Sequence, residues 1–189
     1  MALAATPGCA KLKLLRLENE VLVNQNRDLR AELGDCRADA PPPDYATHVD
    51  LDVIREYISR VGLPAPTVAP TGVMTLPVKG KNTEFQLTVQ LFAKEKVLYL
   101  SVVDYLSLEQ ATSSPSMVLL LTQLAAINYE MLLGKLQLNP RSGAISLSME
   151  VQIDDGLGYR TFEAVLNHLI TSADQRYPEL LRAAQGRGI

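Results

Sequence analysis

The sequence predicts an α+β fold: an antiparallel sheet framed by three helices, in the order α-β-β-β-α-β-β-α, behind an N-terminal coiled-coil helix. Three observations predict it. Apolar residues recur at helical spacing in four separate segments. Five other short segments read as strands, and two of them, 84–91 and 144–153, alternate apolar and polar residues with a period of two. The strands cluster as three and then two, and do not alternate singly with helices, which favours an antiparallel sheet over a doubly wound parallel one.

A chain of 189 residues holds one domain with a sizeable core plus an appendage. Hydrophobic residues make up 47% and charged ones 21%, an ordinary globular balance. The formal net charge of -3 gives no general attraction for phosphate backbones, so no nucleic-acid partner is expected. Cys9 and Cys36 belong to no CxxC or Cys/His cluster, so neither a metal nor a cofactor is expected. No apolar run reaches the roughly 18 residues of a membrane span, and a cytoplasmic protein is expected. The small residue before Cys9 resembles the end of a bacterial lipoprotein signal. The apolar stretch ahead of it is short and lacks a positive start. Two alternatives follow: chance, or a start further upstream with Cys9 lipidated.

Residues 1–10 read as a disordered start and residues 11–37 as the coiled-coil helix. Leu15, Leu22 and Leu29 take heptad position d, which places Leu12, Asn19, Asn26 and Leu33 at position a. This narrow seam suits a coiled coil, and asparagine at position a favours a parallel, in-register dimer. The alternative is a solvated helix folded back on its own domain. No dense Lys/Arg run precedes the leucines, so this is no basic-region zipper. Pro41, Pro42 and Pro43 end the helix and open an extended linker over residues 38–47.

The domain is expected over residues 48–182, with a disordered tail over 183–189. Its first helix spans residues 50–61, capped by Asp50, with Val53, Ile54, Tyr57, Ile58 and Val61 on one stripe. Gly62-Leu63-Pro64 stops it. Strands follow at 73–78, at 84–91, where Phe85, Leu87, Val89 and Leu91 alternate with polar residues, and at 97–103. The second helix opens with a Ser114 cap and Pro115 and continues from 117 to 133. It is apolar nearly all round, so two of its sides need cover. Met117, Leu120, Leu121 and Leu124 are the expected dimer or partner face. Strands at 135–138 and 144–153 form a hairpin around Asn139-Pro140-Arg141-Ser142-Gly143. The last helix is expected over residues 159–175.

The stretch Asn128-Tyr129-Glu130-Met131-Leu132-Leu133-Gly134-Lys135-Leu136-Gln137-Leu138 resembles the YbjN family. Gly143-Ala144-Ile145-Ser146-Leu147, Phe162, Ala173-Asp174 and Tyr177-Pro178-Glu179-Leu180 carry the same resemblance, which runs from about residue 50 to 181. It implies a fold similar to type III secretion chaperones, which are dimeric, non-catalytic binders of extended peptide segments. It also implies a link to regulation. The N-terminal zipper departs from the usual family pattern and puts the usual dimer mode in doubt.

Catalytic chemistry finds little footing. Asp154 and Asp155 sit in a strand-ending turn, where aspartate bonds its own backbone. His48 and His168 read as surface or core-edge residues. Ser116 and Ser146 lack a nucleophile elbow, and Gly156-Leu157-Gly158 lacks the third glycine of a dinucleotide loop. Lys79, Lys81, Lys94 and Lys96 occupy two hairpin turns, either as solvated residues that blunt strand edges or as one basic rim. The expected function is a homodimeric, chaperone- or adaptor-like module that binds another protein or a peptide segment. The alternatives are an envelope lipoprotein held by Cys9, with the coil as a spacer of about 40 Å, and an enzyme of unrecognised type.

Overall fold

The computed structural model describes residues 44–111 and 113–187. The heptad residues from Leu12 to Leu33, both cysteines and the proline run lie outside the described residues. Within them the architecture is α+β: three helices pack on one face of an antiparallel sheet.

The chain enters through β1 (Tyr45–Ala46), which pairs with β8 (Leu157–Gly158) as a separate two-stranded ribbon. The linker expected over 38–47 therefore ends earlier. Ala46 is buried, the Tyr159 amide donates to the Asp44 carbonyl at 2.7 Å, and the Tyr45 hydroxyl donates to the Asp155 carbonyl at 2.8 Å. Arg60 pairs with Asp44 at 2.8 Å and lies 3.8 Å from the centre of the Tyr159 ring. Helix α1 (Leu51–Arg60) starts on Asp50, whose carboxylate accepts from the amides of Asp52 and Val53. It ends at Gly62, whose φ of 84° places it in the left-handed region. There the amides of Gly62 and Leu63 return to the carbonyls of Ser59 and Ile58, which satisfies the last turn.

The six-stranded sheet has the order β2-β3-β4-β5-β7-β6. Its strands are β2 (Thr67–Val68), β3 (Met74–Lys79), β4 (Glu84–Phe92), β5 (Val97–Ser107), β6 (Lys135–Leu138) and β7 (Ala144–Gln152). All neighbours are antiparallel. Met74, Leu76, Phe85, Leu87, Leu98, Leu100, Ile145 and Leu147 point to the core, and the alternate positions face away from it. β5 extends four residues beyond the expected end at 103, because a bulge between Val102 and Leu106 re-registers it against β7. The turns at 80–83 and 93–96 lie at opposite ends of the nine-residue β4, about 30 Å apart. The four lysines therefore form no common rim. Lys79 pairs with Glu84 at 3.2 Å and Lys96 with Asp154 at 3.8 Å.

Helix α2 (Ser114–Glu130) crosses from β5 to the far edge, where β6 lies, and β7 then fills the place between. Its cap is Ser113, one residue before the expected Ser114, in a reciprocal box with Ser116. Helix α3 (Tyr159–Ala184) runs nine residues past the expected end at 175 and beyond the domain boundary at 182. Ala183 and Ala184, expected in a disordered tail, are buried.

Pro178 lies inside this helix and cannot donate to the Asp174 carbonyl. The Asn82 side-chain amide takes that carbonyl at 3.1 Å, and the Tyr105 hydroxyl donates to the Ala173 carbonyl at 2.6 Å. Two donors, one from the 80–83 turn and one from β5, thus satisfy carbonyls at the proline, and the helix continues.

Candidate functional site

The last turns of α3 run antiparallel to α2. Ser116 lies beside Gly186, the Gln123 side chain donates to Glu179, and Arg176 bridges Glu179 and Glu130, each at 3.2 Å. This pairing divides α2 into two faces. Leu120, Gln123, Leu124 and Ile127 are buried on the inner one. On the outer one Val118 is 64% exposed and Leu121 39%.

The four residues expected to form the dimer or partner face therefore separate. Leu120 and Leu124 belong to the domain's own core, while Met117 and Leu121 face solvent. The exposed stripe also holds Val118, Tyr129, Leu132 and Leu133, which the sequence reading did not assign to the face. Tyr129 is 93% exposed and Leu132 99%. Positions 118, 121, 125 and 129 follow helical spacing, so the stripe is continuous along α2 and passes into the loop before β6. Six of the nine large hydrophobic residues exposed among the described residues lie in this one segment. Burying a leucine, valine or methionine side chain contributes roughly 1.5–3 kcal/mol, so covering this stripe is strongly favoured.

The other titratable features have structural explanations. Asp174 accepts from the amides of Asn82 and Thr83 at 2.7 and 3.2 Å. Its burial raises the carboxyl pKa, but the backbone donors at Asn82, Thr83 and Lys81 outweigh this and hold it below its ordinary value. A Cβ at Gly80 would run into the same carboxylate. Burial, then the neighbouring Tyr177 and Asp174, push the Tyr105 hydroxyl upward. The hydrogen bond to Glu150 raises Lys135. Asp154, Asp155 and His168 are exposed. No group of three or more metal-ligating side chains occurs among the described residues, and none of their helices is long and apolar enough to cross a membrane.

Comparison with known proteins fits this architecture. Residues 50–182 match the family model YbjN, "Putative bacterial sensory transduction regulator". The chain belongs to the YbjN family. No curated protein matches it. Among solved structures, this YbjN-family chain is similar to the ExsC–ExsE complex, with a TM-score of 0.53 and 20% identity over 69% of this chain and 92% of that one. It is also similar to YbjN from E. coli, with a TM-score of 0.49 and 17% identity over 71% and 91% of the two chains. The HopA1–SchA chaperone–effector complex gives a TM-score of 0.47 and 17% identity over 70% and 99%. At 20% identity the likeness to the first of these speaks to the fold.

Proposed function

We propose that this YbjN-family protein is a non-catalytic binding module, chaperone- or adaptor-like, that acts as a homodimer on another protein in the cytoplasm. The observation that carries the proposal is the outer face of α2, an apolar stripe left uncovered by a protomer whose core is otherwise closed. Contiguous exposed apolar surface of this kind marks a protein contact. The solved relative in the ExsC–ExsE structure is itself part of a complex, which supports the same reading.

The heptad residues Leu12, Leu15, Asn19, Leu22, Asn26, Leu29 and Leu33 would add a second self-contact through a parallel coil. Light scattering on the full chain and on residues 44–189 tests the assembly. Dimers in both are expected, with α2 as the domain's own contact. A dimer only in the full chain would assign assembly to the coil and leave α2 for a partner. Monomers in both would contradict the homodimer.

A further inference from the structure

The sheet has two edges, β2–β3 and β6, and an open edge is a template for a strand from another molecule. At β6 one position of the edge is occupied. The Leu136 amide donates to Asn128 Oδ1 at 2.7 Å, and Asn128 Nδ2 donates to the Leu136 carbonyl at 3.0 Å. The side-chain amide of a helix residue thus stands where the peptide group of a seventh strand would stand, with donor and acceptor both matched. β6 is only four residues long. The Asn139 amide bonds the Ala144 carbonyl across the hairpin, so by antiparallel alternation Leu136 and Leu138 are the residues whose backbone groups point outward. Asn128 takes the first of the two.

The opposite edge is closed differently. β2 covers Met74 and Thr75, and Pro77 further along β3 has no amide to offer.

We propose that Asn128 is an edge lock, and that with Pro77 it makes this sheet refuse guest strands. Contacts with other molecules then run through side chains, such as those of the α2 stripe, and not through strand addition. The lock is independent of what covers α2.

Hydrogen exchange on the full-length protein tests it, read with its mass by sedimentation. In the unsubstituted protein the Leu136 amide should exchange about tenfold or more slowly than the Leu138 amide. Asn128→Ala should bring the two rates together. It should also give a mass that grows with concentration beyond that of the unsubstituted protein. Should the alanine variant not fold, Asn128→Asp keeps the volume and one acceptor, loses the donor to the Leu136 carbonyl, and should show the same growth in mass. Equal Leu136 and Leu138 rates in the unsubstituted protein would overturn the lock. A folded variant with unchanged mass would overturn its role against strand addition.

Discussion

At the scale of single residues, Asp174 ties the last helix to the sheet. Its carboxylate and carbonyl together receive the Asn82 amide, the Asn82 side chain and the Thr83 amide. Asp174→Ala should cost about 1–2 kcal/mol by denaturant titration at neutral pH, with charge-assisted bonds discounted for partial exposure. Because the folded carboxyl lies below its ordinary value, its contribution is complete above the unfolded pKa of about 3.9. It is lost as pH falls through the lower folded value. The alanine variant should therefore lose less stability over that acid range than the unsubstituted protein does. An equal loss in both would show that Asp174 is not the group responsible. None of this was legible in advance. Asn82 and Asp174 are 92 positions apart, and sequence periodicity carries no signal for such a pair. The last helix runs nine residues past its expected end at 175 and continues through Pro178. Proline ends a helix when the carbonyl it leaves behind has no partner, and here Asn82 supplies one from a distant turn.

At the scale of elements, strands with regular alternation were readable. β4 and β7 show one apolar and one polar face, and both occur within a residue or two of where the alternation places them. The two-residue strands β1, β2 and β8 were not, because two residues are too few to show a period. Helix α2 was half legible. Its all-round apolarity calls for cover on two sides, of which one is buried within the domain, and which leucine faces which side depends on α3. Neighbouring leucines now separate the two roles. Leu120→Ala should cost about 2–5 kcal/mol, as for a buried leucine leaving a cavity. Leu121→Ser should change stability by no more than about 0.5 kcal/mol where both proteins are monomeric. Thermal and denaturant unfolding check this, and similar costs at the two positions would place Leu121 in the core.

At the scale of the whole molecule, one fold carries two kinds of surface. At the sheet edges Asn128 bonds the amide and carbonyl of Leu136, and Pro77 has no amide to offer. The helical side presents an apolar stripe from Met117 to Leu133. A domain with one open apolar face is suited to associate through that face. The outer face of α2 is proposed as the domain's self-contact, and sedimentation velocity on residues 44–189 with and without the pair Val118→Glu and Leu121→Glu puts that contact to the test. Both side chains are solvent-facing in the protomer, so the substituted domain should keep its fold by circular dichroism. A dimer at micromolar concentration is expected for the unsubstituted domain and a folded monomer for the double variant. A double variant that remains a dimer, or an unsubstituted domain that is a monomer throughout that range, would contradict it.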